Sequence, residues 1–362
     1  MSHPATDGAN QDRPRPDNVE VGRPVQLGGL STEEVRPELA SLDLLSPADL
    51  VTVIAADSRR ATEAVVAAAP SLTAAVEVVY RRLAAGGRLI YVGAGTAGRL
   101  AVLDAAELGP TFSVAPGLAE AVIAGGDQAL RHSVEGAEDD RGSGRAAMEK
   151  LSVTGADVVI GVSASGRTPY VLGAIERSKS AGAATIGLSC NRGSELSALA
   201  DNRVELVVGG EVIAGSSRMN AGTAQKIALN TISTSAMVLL GKTYGNLMVD
   251  LRATNDKLRD RAVRIVQAIT GVGPDSAAGA LEAAGWDTKL ATLVASTGKD
   301  IGSLAPALAQ SEGRLRGALA LVGGTSDGDE AGRPPAGTGG SSSHQRPGHT
   351  RDRYERASQK GA

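Results

Sequence analysis

Two stretches of small and hydroxyl-bearing residues carry the first chemical signal in this sequence. Gly93-Ala94-Gly95-Thr96-Ala97-Gly98 follows the apolar run Arg88–Val92. Ser163-Ala164-Ser165-Gly166-Arg167-Thr168 follows the run Asp157–Val162. Each precedes a stretch with helical spacing, so each places hydroxyls and free backbone N–H groups at a helix start. That end of a helix carries a partial positive charge and attracts anions, phosphate above all. The candidate phosphate donors are Gly95 and Thr96 in the first loop and Ser163, Ser165 and Thr168 in the second. A helix cap needs one hydroxyl, and the second loop supplies three, which favours anion binding over capping alone. The first loop contains Gly-x-Gly-x-x-Gly, a dinucleotide-fold pattern that also wants an acidic residue about 20 positions on. Here the next apolar run closes much later, on Ala124-Gly125-Gly126-Asp127, which weighs against a nicotinamide enzyme.

Two glutamates offer acid–base chemistry. Glu107 stands seven residues after Leu100 and four after Leu103, so the spacing puts the three on one helix face. We expect that face to meet a sheet, and Gly109 and Pro110 to end the helix just beyond. A carboxylate in a last turn is opposed by the helix dipole, and a carboxyl kept neutral suits a general acid. The plainer alternative is a half-exposed glutamate at a fraying end. Glu138 heads Glu138-Asp139-Asp140 before another helical stretch. Its plainer alternative is a helix cap, a role open to Asp139 or Asp140. Glu135 is the fallback for Glu138, and His132 reads as structural. Cys190, the single cysteine, permits no intramolecular disulfide and no cysteine metal cluster, and is expected to be a buried thiol.

The elements that must hold these residues read as α/β. Five short apolar runs, at Arg88–Val92, Ala121–Ala124, Asp157–Val162, Ala184–Leu188 and Arg203–Val208, are separated by helical patterns. Such runs belong to a parallel sheet covered on both faces. Residues 47–85 read as helices, and a long helix is expected over 219–241. The latter looks apolar on more than one face, which would bury it in a homodimer. Residues 31–250 form the α/β domain with its leading helices, and 251–322 a small all-helical module in which Trp286 packs. The polar, Gly- and Pro-rich stretches 1–30 and 323–362 read as disordered tails. A formal net charge of -3 argues against a nucleic-acid binder. No apolar run approaches the ~20 residues that span a membrane, and the first thirty lack a signal-peptide core. The expectation is a cytoplasmic protein.

The Ser-x-Ser-Gly-x-Thr loop resembles the phosphate-binding signature of SIS (sugar isomerase) domains. Longer stretches are similar to one branch of that superfamily, the N-acetylmuramic acid 6-phosphate etherases. They are Tyr91 to Glu107, Ala129 to Asp140, and Gly215 to Lys226 with Tyr244 to Asp250. The resemblance spans roughly residues 31–322. It implies an SIS-type, flavodoxin-like three-layer fold with a C-terminal helical module, acting as a homodimer on a phosphosugar without metal or cofactor. The implied reaction releases D-lactate and N-acetylglucosamine 6-phosphate in cell-wall amino-sugar recycling. The family's functional glutamates correspond to Glu107 and Glu138, and its phosphate loop to Ser163, Ser165 and Thr168. This chain departs from the family pattern at Ala97, commonly Ser; at Asn220, commonly Lys; and at Leu108-Gly109-Pro110, commonly Cys-Pro-Pro. The alternatives on the same fold are an aldose–ketose phosphosugar isomerase and a non-enzymatic sugar-phosphate sensor. The sensors of this kind carry two SIS domains, and this chain has room for one.

Overall fold

The computed structural model describes residues 29–323 apart from 252 and 254. The expected tails therefore lie outside the described residues, except for Gly29, Leu30 and Gly323.

Three helices lead into the sheet: α1 (Pro47–Asp57), α2 (Arg59–Ala67) and α3 (Ala69–Ala84). Ser46 caps α1 through its side chain, accepting from the Asp49 N–H, and Pro47 occupies the first helical position. The alternating units follow: β1 (Leu89–Gly93), α4 (Gly95–Phe112), β2 (Ala119–Ile123), α5 (Arg141–Lys150), β3 (Val158–Ser163), α6 (Pro169–Ser180), β4 (Ala184–Ser189), α7 (Glu195–Leu199) and β5 (Asn202–Glu205). The five strands pair in parallel in the order β2-β1-β3-β4-β5. All five expected runs are strands, although the last is shorter than its apolar pattern. Past Glu205, Leu206 and Val208 stay buried outside the strand proper.

The residues of β1 alternate between two cores, as the strand period of two requires. Leu89 and Tyr91 join the core formed with α2, α3, α4 and the long helix α8 (Asn220–Leu239). Ile90 and Val92 join the opposite core, with α5, α6 and α7. The result is helix, sheet, helix, the expected three layers. A two-stranded antiparallel hairpin, β6 (Thr243–Tyr244) with β7 (Leu247–Met248), then leads to the C-terminal helices. These are α9 (Asp256–Thr270), α10 (Pro274–Ala283), α11 (Thr288–Thr297), α12 (Ile301–Gln310) and α13 (Leu315–Val322). They share a third core, in which Trp286 is half-buried with the Arg259 guanidinium 5.0 Å from its ring centroid. No single described helix is long and apolar enough to cross a membrane.

Two expectations about helix faces are corrected. The helix α4 does not stop at Gly109-Pro110. It runs through Pro110 to Phe112 and is closed by Ser113 in the left-handed conformation. Glu107 is thus not in the last turn. Nor does its face meet the sheet: Ala97, Ala101, Asp104 and Leu108 are buried, whereas Leu103 is 47% exposed and Glu107 is exposed. The second correction concerns α8, which is not apolar all round. Thr223, Lys226, Thr231 and Thr234 form an exposed polar stripe along it.

One buried polar node ties these layers together. Asp104 accepts from the Tyr91 hydroxyl at 2.6 Å, from Asn230 Nδ2 at 2.5 Å and from Ser233 Oγ at 3.1 Å. Burial, reinforced by the Asp104 carboxylate, holds the Tyr91 phenol well above its usual range. Cys190 is fully buried, its thiol pushed up by desolvation and then by Glu211. Glu211 is itself 1% exposed and caps α8 from outside, accepting from Asn220 N at 2.9 Å and Ala221 N at 2.8 Å. A carboxylate at a helix start is favoured by the dipole.

Candidate active site

The order β2-β1-β3 makes the gap between β1 and β3 a switch point. The connection from β1 leads away on one side, and β3 lies on the other. In open parallel sheets, ligands sit beyond the strand ends at such a point. Both expected phosphate loops are there, because one follows β1 and the other follows β3.

The loop after β3 is built around Ser163, which is buried. Its Oγ lies 2.8 Å from Thr168 Oγ1 and 3.3 Å from Ser165 Oγ, and accepts from the Gly166 N–H at 3.0 Å. Ser165 Oγ accepts in turn from Arg167 N at 3.2 Å. Thr168 is the N-cap of α6 but makes no side-chain cap bond. The hydroxyls therefore face one another and the cavity rather than capping the helix. Gly166 has φ +68°, and a Cβ there would strike Ser194, so only glycine fits. The segment after β4 fixes the loop from behind: Cys190 N donates to Ala164 O at 2.9 Å and Leu196 N to Gly166 O at 2.9 Å.

A cavity of about 230 Å³ opens between the loops. It is lined by Gly95, Thr96, Ser163, Ser165, Thr168 and Glu138 among others. Six of the seven residues singled out from sequence therefore meet in one place. Glu138 reaches it from a single 3₁₀ turn, Ala137–Asp139. The capping role falls to Asp140, whose carboxylate accepts from Ser143 N at 2.9 Å ahead of α5. The hydrogen bond from the Ser143 side chain, with that from its N–H, holds Asp140 below the usual carboxylate range. Glu138 is left to face the cavity. Glu135 does not line this cavity but an adjoining one of about 310 Å³, which also shows Ala94, Gly95, Glu138, Arg99 and His132.

Glu107 is the seventh, and it lines neither cavity. Twelve positions of α4 separate it from Gly95, about 18 Å at the helical rise. Asn220 is also absent from the lining. It is buried, with Nδ2 donating to Asp57 Oδ2 at 2.6 Å. Ala97 does line it.

Four lining residues were not foreseen as site residues: Thr32, Glu33, Ser217 and Gln225. Thr32 and Glu33 precede the domain's first helix, far from either loop in sequence. Gly215 N donates to Thr32 O at 3.2 Å, and Thr32 Oγ1 accepts from Asn191 Nδ2 at 3.2 Å, which anchors the segment against the cavity. Gln225, on α8, is 1% exposed and its Nε2 has no hydrogen-bond partner. A buried amide donor without a partner costs free energy unless something meets it, and this one faces the cavity. Its only signal in sequence was membership of the motif Gly215 to Lys226. No group of three or more His, Cys, Asp or Glu among the described residues is arranged to hold a metal ion.

Residues 71–179 match the family described as glucokinase regulatory protein N-terminal SIS domain, and residues 142–235 match the SIS domain. An N-acetylmuramic acid 6-phosphate etherase of Rubrobacter xylanophilus is 55% identical over 266 residues, covering 74% of this chain and 88% of that protein. The protein of the same name from Streptomyces coelicolor is 50% identical over 297 residues, covering 82% of this chain and 96% of that one. That of Deinococcus radiodurans is 51% identical over 288 residues, covering 80% and 94%. At this identity over most of both chains, the chain belongs to the N-acetylmuramic acid 6-phosphate etherase family of carbon–oxygen lyases.

Proposed function

We infer that the chain acts on N-acetylmuramic acid 6-phosphate, the substrate its relatives are named for, and releases D-lactate and N-acetylglucosamine 6-phosphate. The observation that carries this reading is the shared cavity. Anion donors from two helix starts and the Glu138 carboxylate line one space. The loop hydroxyls and the N–H groups opening α4 and α6 would hold the phosphate. That leaves the sugar carbons beside Glu138.

The chemistry follows from the open-chain sugar. Its aldehyde acidifies the C2 proton, and the lactyl ether oxygen is on C3. A base takes the C2 proton, the C2–C3 double bond forms, the C3–O bond breaks, and an acid protonates the departing lactate oxygen. Water then adds across the double bond, its hydroxyl to C3 and a proton to C2. Two carboxyl groups can carry every proton transfer. In this reading Glu138 serves C2 and Glu107 the lactate oxygen. Glu107 does not stand in the last turn of α4, so the helix end is not what suits it to this role. Its distance along α4 and its exposure fit a residue delivered to the cavity of a second copy, so the reading includes a homodimer. Two exposed features support that assembly. Leu103 lies open one turn from Glu107, and α1 has no buried residue, with Leu44 just before it 79% and Val51 within it 68% exposed. Apolar surface of this kind marks contact sites.

The test is lactate release from N-acetylmuramic acid 6-phosphate, run in labelled water. Oxygen label should appear on C3 of the sugar and none in the lactate. Label in the lactate would mean cleavage on the lactyl side and would end the elimination mechanism. An isomerase would interconvert phosphosugars and release no lactate, and a sensor would bind without turnover.

A further inference from the structure

The two cavities share a wall made of Ala94, Gly95 and Glu138. They differ in charge. Among the described residues lining the first there is no Lys, Arg or His. The second is lined by Arg99 and His132 together with the carboxylates of Glu135 and Glu138. Arg99 lies one turn into α4, just past the first loop. Its Nε donates to Ala129 O at 3.0 Å and its Nη2 to His132 O at 3.4 Å. Both acceptors are neutral carbonyls, and no described carboxylate lies within ion-pair distance of it. A guanidinium has five N–H donors in a fixed fork that matches a carboxylate. Here the fork is held by two backbone acceptors and borders a cavity, and neither Glu135 nor Glu138 in the same lining pairs with it directly. The N–H groups opening α4 lie on the same side and add to the positive potential.

We propose that this second cavity is the lactyl subsite, with Arg99 pairing with the lactyl carboxylate. The proposal rests on the reading above and refines it. The inferred substrate has two anionic ends, a phosphate on C6 and a carboxylate on the C3 substituent. The structure has two adjoining cavities, one rich in hydroxyls and N–H groups and one bordered by a guanidinium. Seating each anion in its own cavity puts C2 and C3 against the shared wall, where Glu138 stands. The acetamido group is neutral and gains nothing from an unpaired cation, so the lactyl carboxylate is the group the second cavity selects. The pairing also fixes the leaving group while the C3–O bond breaks.

Arg99 also holds the segment bearing Ala129 and His132, and a purely structural role must be told apart from this one. The probes are two alditols, the C1-reduced forms of N-acetylmuramic acid 6-phosphate and N-acetylglucosamine 6-phosphate. Neither has an aldehyde, so neither can eliminate, and they differ only in the lactyl group. Wild type should bind the lactyl-bearing alditol more tightly. Arg99→Ala should weaken that ligand roughly 10- to 100-fold, the range of a charge-assisted hydrogen bond, and leave the other within about twofold. Arg99→Lys should recover part of the loss, since it restores charge without the fork. Equal weakening of both ligands would show that Arg99 only braces the loop and would overturn the proposal. So would a wild type without preference for the lactyl group. The parent reading fails differently: a preserved lactyl preference with no lactate release would sink the reaction and spare the subsite.

Discussion

The position of Glu107 gives the inferred reaction its sharpest test. If Glu107 and Glu138 both act, and about 18 Å of α4 separates Glu107 from its own first loop, then each working site draws its glutamates from two chains. A dimer carrying Glu107→Ala on one chain and Glu138→Ala on the other would then hold one site with both lesions and one with neither. Each homodimer variant should lose 10²- to 10⁴-fold in turnover, the usual size of acid–base assistance. The mixed dimer should return to about half the wild-type rate, one of two symmetry-related sites being intact. Co-expression with two different affinity tags and sequential purification isolates the mixed species, and D-lactate release measures it. A mixed dimer no faster than the single-variant homodimers would refute delivery from the second copy. The second carboxylate would then have to come from the same chain, and Glu33 is the one the cavity already contains.

Ser163→Ala should orphan the Gly166 N–H and release both neighbouring hydroxyls; a stability loss of about 1–3 kcal/mol by urea denaturation is expected, with weaker binding of phosphorylated sugars. Gly144→Ala should force a Cβ into the Tyr170 carbonyl across the contact of α5 with α6; overpacking of this kind costs about 1–3 kcal/mol, visible as a lower Tm. Asp157 is buried, which would raise its pKa, yet the Arg88 guanidinium and the Thr154 N–H hold the carboxyl below its ordinary value. Its folded value lies below the unfolded one, so this pair stabilises the fold above about pH 4 and fades as pH falls through the lower folded value. Arg88→Met should therefore flatten the acid limb of the stability–pH curve, and an unchanged limb would remove this pair as its cause.

The sheet and both loops were legible because their signals are local. An apolar run of four to six residues followed by glycine and hydroxyls specifies strand, turn and helix start within a dozen positions. The face of α4 was misread for a physical reason. Its sheet-facing stripe is Ala97, Ala101, Asp104 and Leu108, small or polar in three of four places, while the more hydrophobic Leu103 points outward. Hydrophobic periodicity cannot find a stripe whose centre is a buried aspartate satisfied by Tyr91, Asn230 and Ser233. Pro110 misled similarly, since near a helix end it removes a single bond and α4 continues past it. Glu33, Ser217 and Gln225 were illegible as site residues because the fold brings them in from distant segments. Asp140 was recognisable as a possible cap, and its taking that role is what separates Glu138 from its acidic neighbours.

The contact of α5 with α6 has a consequence for how binding is financed in entropy. Gly144 lies against the Tyr170 carbonyl and Gly173 against the Arg141 carbonyl, so at these two points the helices meet backbone to backbone. Ion pairs from Arg141 and Arg145 to Glu176 close the same seam. The helix α6 begins at the hydroxyl loop and α5 begins just after the Glu138 turn. The spacing between phosphate donors and carboxylate is therefore set by a rigid seam rather than by two independent loops. A ligand meets groups already in register, and less conformational freedom remains to be frozen on binding. Sequence drift in the exposed parts of either loop is tolerable under this arrangement, whereas a single methyl group at either glycine would shift both halves of the site at once.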